Sequence, residues 1–502
     1  MSNESRQLKY GALISYLAIL VNTVMSLIYL PWMARTIGKS NYALYQLAYS
    51  FVQIFLADFG LSSAAARFLA KYRAENREEQ SNILIAVLTK LYIGIDLIIA
   101  LIMFVIYSRI DVIYRGLTVS EIAAFRPLFL IMAGYSILSF PFMSLNGILT
   151  AYEKFIQLKL CDFGQKVLTV LLVVYALLSG RGVVAVMAAN AASGLFFILL
   201  KLYIIRKQTP VRPDIRTHDD TVLSSVLQFS IWTAVVALAQ RFIFSLAPTI
   251  LGIVSNSSEI ALFAPANALE GYFYMFAAAV NGLFLARISR YIADNREDRI
   301  YTLMVNVGRY QLAVMGLIFI GFLCIGRDFM IQWMGADYEG AAVCAALIFI
   351  PDLLLFTQQI ANETVIAKNE VRHNAFSNIG MAVVCVVLSF PLSTRFGAMG
   401  ACLAIAVSYM FTFIYMNVIY YKKLHINVFR FFKECYTSFL LPYGLSYVLC
   451  RLITGRIMIT GWKGIAVKIL AVVIVYGILV SCLALKKSER EWISRKLRRN
   501  QE

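Results

Sequence analysis

The chain has 502 residues, 60% hydrophobic and 15% charged, whereas soluble domains are about half apolar and a quarter charged. That balance leaves no stretch from which a water-soluble domain could be built. The formal net charge of +18 sits in short loops between apolar runs, as topology signals and contacts with anionic headgroups do, so no nucleic-acid partner is expected.

Taken in chain order, the apolar runs predict about fourteen transmembrane helices, at 10–33, 42–70, 81–107, 125–150, 159–180, 183–205, 223–253, 259–287, 303–326, 340–366, 374–394, 397–421, 436–454 and 464–485. Each is long enough to cross a bilayer. The first is preceded by MSNESRQLKY, with no short apolar region and small-residue cleavage site after it, so it is expected to be a retained helix. With the N-terminus inside, cytoplasmic segments hold 31 Lys and Arg and external ones 11. That bias predicts both termini on the cytoplasmic side. Trp32, Trp333 and Trp462 fall at outer boundaries, where interfacial anchors belong. The tail 486–502 is basic and is expected to lie on the inner membrane surface. The eight cysteines form no CxxC pair, and the three histidines are scattered. Neither a metal site nor a catalytic constellation can be assembled, and no cofactor is expected.

An internal repeat organises these elements. Residues 43–48 read ALYQLA and 261–266 read ALFAPA. At nearly the same offset Pro31 maps to Pro248, Lys90 to Arg309, Asn146 to Asn362, Ala151 to Ala367 and Gly182 to Gly397. Six spans per copy is an even number, so the two copies insert with the same orientation, as parallel repeats. The expected fold class is an all-α membrane protein of two six-helix lobes plus two C-terminal helices. Its expected divisions are an N-lobe at 1–207, a cytoplasmic linker at 208–222, a C-lobe at 223–421, the last two spans at 422–485 and the tail at 486–502.

The segments LPWMARTIGKSNYALYQLAYSF, LNGILTAYEKFIQLKLCDFGQK, SGRGVVAVMAANAASG and TRFGAMGACLAIAVSY, with the fourteen-span plan, resemble the polysaccharide transporters of the multidrug/oligosaccharidyl-lipid/polysaccharide exporter superfamily, the flippases of O-antigen and capsule. The resemblance covers the whole chain. It implies two lobes around a cavity open alternately to each side, a bacterial plasma-membrane location, and a polyprenyl-diphosphate-linked oligosaccharide as substrate. Association with glycan polymerase machinery would follow. Such a substrate needs a protein path, because sugar hydroxyls and diphosphate are costly to drag through hydrocarbon. The diphosphate calls for cationic groups in that path.

Ionisable residues within spans are therefore the candidate site. Arg241 lies well inside span seven, with Glu270 at matching depth in span eight. Arg241 is expected to line the cavity and contact substrate, or to pair with Glu270. Lys90 and Arg309 occupy matched positions in spans three and nine, suited to diphosphate contact or to snorkelling toward inner headgroups. Asp58, Asp96 and Asp352 are deep carboxylates that could carry H+ or Na+ to drive transport, or serve helix packing. A drug or cation antiporter of the same superfamily is the alternative, favoured by twelve spans with an acidic cavity. A glycan polymerase or ligase is disfavoured by loops of about 17 residues at most. A major-facilitator transporter is disfavoured by the loop KYRAENREEQ between spans two and three.

Overall fold

The structure, a computed structural model, describes residues 25–56, 58–213, 217, 219–278, 284–294 and 296–485. Most of the first expected span, His218 and the tail 486–502 lie outside the described residues. Among the described residues the secondary structure is entirely helical. Contacts group the chain into two compact units, Met1–Ala264 with Ser393–Gly397, and Pro265–Leu392 with Ala398–Glu502.

In the first unit the helices are α1 (25–37), α2 (Lys39–Phe55), α3 (Leu61–Ala74), α4 (Glu78–Ser108), the short α5 (Ile110–Ile113), α6 (Val119–Ser139), α7 (Leu145–Ala151), α8 (Phe155–Leu178), α9 (Gly182–Gln208) and α10 (Asp220–Val254), followed by the start of α11 (Ser257–Ala278). The expected second span is broken between α2 and α3, where Phe59 (φ 51°) and Gly60 (φ 72°) turn left-handed. Gly60 is needed for proximity as well as for φ, since a Cβ there would lie 2.5 Å from Thr233 Cβ on α10. Asp58 secures the break. Its Oδ1 accepts from the Ser62 N–H at 3.0 Å and from the Tyr92 hydroxyl at 2.7 Å. At the start of α6 Thr118 and Glu121 form a capping box. The Glu121 carboxylate also accepts from Ser40 at the start of α2 and from Ser257 at the start of α11. α10 packs against α2, α3 and α4, and Asp219 caps its N-terminus.

The second unit continues with α12 (Leu285–Ala293), α13 (Glu297–Trp333), α14 (Ala341–Phe356), α15 (Gln359–Ala367), α16 (Arg372–Leu424), α17 (Val428–Arg456) and α18 (Gly461–Leu479), the last ending in a π-helical turn, Val480–Ala484. α16 runs for 53 residues. A continuous helix of that length would be ~80 Å long, far more than the ~30 Å hydrocarbon core. It is broken at Gly397 (φ 56°, ψ −132°), a backbone conformation open to glycine. α13, α17 and α18 form a packed sub-bundle.

Nine helices among the described residues are long and apolar enough to cross a membrane. On α4 the outward residues Leu97 and Phe104 are each 68% exposed. In a soluble protein such surface would be a liability, but in lipid it is solvated by acyl chains. The chain is a multi-pass helical membrane protein.

Candidate functional site

Each transmembrane helix must keep its polar groups either satisfied inside the protein or wet. The span charges divide along that line. Arg241, on α10, is exposed although it lies 13 positions from the helix end at Val254. Its guanidinium is close enough to act electrostatically on Tyr49 of α2. Tyr49 stacks on Tyr45 with ring centroids 6.1 Å apart and planes 10° from parallel. Gln53 and Asn190 lie beside the hydroxyls of Tyr49 and Tyr45 respectively. Tyr29 of α1 and Tyr135 of α6 also neighbour Tyr49. The result is a polar, aromatic face with one exposed cation.

The other expected cations are used differently. Lys90 Nζ donates to the Thr217 carbonyl at 2.9 Å and so ties α4 to the segment that enters α10. Arg309, on α13, is only 1% exposed. Its Nη1 donates to Ser438 Oγ at 2.6 Å and the Glu434 carbonyl at 3.2 Å, and its Nη2 to the Ala484 carbonyl at 2.7 Å. The Phe439 ring lies 5.3 Å from its guanidinium carbon. The expected repeat would match the two residues, but each makes its contacts within its own unit.

The carboxylates also separate. Asp58 is the capping group described above. Asp96 is buried in α4, and its Oδ1 has no hydrogen-bond partner among the described residues. In the second unit Glu270 of α11 and Asp352 of α14 are both buried and lie close enough to interact electrostatically. The Tyr409 hydroxyl of α16 hydrogen-bonds to Glu270. Neither oxygen of Asp352 has a hydrogen-bond partner among the described residues. Tyr274 lies beside both acids, and Phe273 stacks on Phe349 at 4.4 Å one turn away. A pair of buried carboxylates that feel each other's charge is suited to holding a proton or a cation. Arg241 lies in the first unit and Glu270 in the second; each has its own neighbours there.

Next to the acid pair is a cavity of about 370 Å³ in the second unit. Leu269, Phe273, Leu317, Phe322, Ile469 and Val472 are among its mostly apolar lining, which also includes Tyr272. Among the described residues no group of three or more His, Cys, Asp or Glu gathers.

Sequence reading did not single out the tyrosines. The signal was present, since Tyr42, Tyr45, Gln46, Tyr49 and Gln53 recur every three or four residues along apolar α2 and so share one face. Lys201 is buried, and its Nζ donates to Asp162 Oδ1 and Asn146 Oδ1, both at 2.9 Å, joining α7, α8 and α9.

The fold is shared with solved transporters. A structure described as the lipid II flippase MurJ in an inward closed conformation aligns with a TM-score of 0.73 and 13% identity, over 94% of this chain and 98% of that one. An inward-facing multidrug resistance MATE transporter of the MOP superfamily aligns at 0.66 and 14%, over 85% and 99%. The MATE multidrug transporter DinF-BH, solved with R6G, aligns at 0.58 and 16%, over 84% and 96%. No curated protein matches by sequence. The sequence model for polysaccharide biosynthesis proteins matches residues 8–284, more than half of the chain, in agreement with the resemblance read from the sequence. The chain belongs to the polysaccharide biosynthesis protein family.

Proposed function

We propose that this protein is a flippase. It moves oligosaccharide repeat units, linked to polyprenyl diphosphate, across the bacterial plasma membrane for surface polysaccharides such as O-antigen or capsule. It is a transporter and not an enzyme. The observation that carries this reading is Arg241, an exposed arginine far inside a membrane helix and beside Tyr49. An arginine facing lipid at that depth is prohibitively costly, so the face it occupies is wet in some state of the transport cycle. A planar guanidinium binds phosphate oxygens in pairs, which suits a diphosphate. The alternative fates of Lys90 and Arg309, each with acceptors inside the protein, leave Arg241 as the principal anion contact.

The architecture we propose has fourteen spans. Two parallel six-helix repeats form an N-lobe at 1–207 and a C-lobe at 223–421, followed by two further spans, and both termini are cytoplasmic. Transport proceeds by alternating access of the two lobes. Glu270 and Asp352 are the coupling group, taking up H+ or Na+. Asp58 and Asp96 take packing roles, and an associated glycan polymerase would use the flipped lipid.

In cells that depend on this protein, Arg241→Ala is expected to abolish export of the cognate glycan while the protein stays in the membrane. Lipid-linked repeat units should then accumulate on the inner leaflet. Normal export from that variant would overturn the assignment of Arg241. The acidic pair favours a second reading, a drug or cation antiporter. Under that reading, deleting the protein would leave lipid-linked saccharides unchanged and raise sensitivity to cationic dyes.

A further inference from the structure

A second cavity, of about 260 Å³, lies in the second unit at the ends of four helices. It is close to the ~300 Å³ at which pockets for small molecules begin. α13 and α17 start there, and α15 and α16 end there. Ile300, Thr364, Leu424 and Ile426 are the buried part of its lining. The charges around them come in both signs, Lys368 and Arg430 against Glu297 and Asp298. Lys368 Nζ meets Glu297 Oε1 at 2.7 Å, from α15 to α13. Arg430 Nε meets Glu434 Oε1 at 2.6 Å, and its guanidinium carbon lies 5.1 Å from the centre of the Tyr301 ring.

The flanking residues belong to a membrane surface. Tyr421, Lys422 and Lys423, just before the cavity on α16, are exposed, and Phe429 in the first turn of α17 is 87% exposed. Aromatic and basic side chains at the ends of apolar helices mark the boundary between hydrocarbon and water. The ligand within reach at that level is a lipid head group, and the balance of charge selects its kind. A purely anionic head group would bring its phosphate beside Glu297 and Asp298 with nothing to offer them. A purely cationic group would meet Lys368 and Arg430 in the same way. A head group that carries both signs satisfies both. We propose that this cavity binds the phosphoethanolamine head group of a membrane lipid. Lys368 and Arg430 take the phosphate, and Glu297 and Asp298 take the ammonium. One bound lipid then ties together the ends of α13, α15 and α17. The site stands apart from Arg241 and from the identity of the exported saccharide.

The test uses the purified full-length protein in detergent, with binding measured for three probes. Dioleoylphosphatidylethanolamine carries the whole ligand, dioleoylphosphatidylglycerol has the phosphate without the amine, and soluble glycerophosphoethanolamine has the head group without the chains. The wild type is expected to bind the ethanolamine lipid about tenfold more tightly than the glycerol lipid, the size of one hydrogen bond between charged groups. Glu297→Gln combined with Asp298→Asn should erase that ratio by weakening the ethanolamine lipid alone. Lys368→Gln combined with Arg430→Gln should weaken both lipids about tenfold, since each presents a phosphate. The unfolding temperature without lipid separates lost binding from lost folding. Where a double variant does not fold, Asp298→Asn and Arg430→Gln, single changes at exposed positions, carry the same comparison. A wild type that binds the two lipids alike, or a ratio that survives loss of the acids, overturns the site. Soluble glycerophosphoethanolamine binding as tightly as the lipid overturns the membrane source and assigns a soluble ligand. Each of these outcomes leaves the flippase reading standing.

Discussion

An arginine inside a bilayer persists only where its five donors are met, by protein or by water. Arg309 and Arg241 are the two solutions in one chain. Arg309 feeds Ser438, Glu434 and Ala484, so its removal leaves a void and strips a donor from two carbonyls. Arg309→Ala is expected to cost ~3 kcal/mol of stability, read as a lower unfolding temperature of the detergent-solubilised protein. Arg309→Lys should recover only part, because one ammonium cannot span acceptors on α17 and at the end of α18. Lys90 makes one hydrogen bond, to the Thr217 carbonyl, and Lys90→Ala should cost ~1 kcal/mol. If Arg309→Ala left the unfolding temperature unchanged and stopped export, its packing role would be wrong. The expected repeat would pair Lys90 with Arg309 but does not say what either side chain touches.

At the scale of helices, the sub-bundle of α13, α17 and α18 depends on missing side chains. The Tyr443 hydroxyl of α17 donates to the Leu312 carbonyl of α13 at 2.6 Å. It can do so because Gly316 is bare, since a Cβ there would lie 2.0 Å from the Tyr443 oxygen. The Tyr476 hydroxyl of α18 similarly donates to the Ala313 carbonyl at 2.8 Å. Small residues permit close helix approach in membranes, where hydrophobic burial gives no drive for association. Gly316→Ala should expel the phenol and cost ~2 kcal/mol. In a Tyr443→Ala background the same change should cost almost nothing, a non-additivity visible in a double-mutant cycle by thermal unfolding. Additive costs would show that Gly316 and Tyr443 do not meet. The start of α6 works through polar contacts instead. There Glu121 accepts from Ser40, Thr118 and Ser257, linking the N-terminal ends of α2, α6 and α11. Hydropathy finds such helices, but the pairings between their ends are invisible to it.

For the whole molecule, the transport proposal joins an exposed cation in the first unit to a buried acid pair in the second. If Glu270 and Asp352 are the coupling group, Glu270→Gln and Asp352→Asn each remove the shared charge while keeping shape. Either variant, reconstituted in vesicles, should transport lipid-linked saccharide at a rate that no longer responds to an imposed H+ or Na+ gradient. A gradient response that persists in both would assign coupling elsewhere, with Asp96 the next carboxylate to test. The wild type should respond to one gradient, and that response identifies the ion.

That this is a helical multi-pass membrane protein is legible along the chain, and so is the family, through its ordered motifs. Both are legible because transfer into hydrocarbon is a property of each residue, summed locally along the chain. The charges costly enough to need an explanation are legible in the same way. What each charge does depends on the packing of helices far apart in the chain. The rotation of α10 leaves Arg241 exposed beside Tyr49. The packing of α17 and α18 on α13 encloses Arg309. α11, α14 and α16 bring Glu270, Asp352 and Tyr409 together from positions 270, 352 and 409. The energy of a buried charge depends on neighbours distant in sequence, so no local pattern encodes it. The tyrosine stripe on α2 falls between these cases. Its helical spacing was local and readable, whereas its meaning came from the arginine that another helix set beside it.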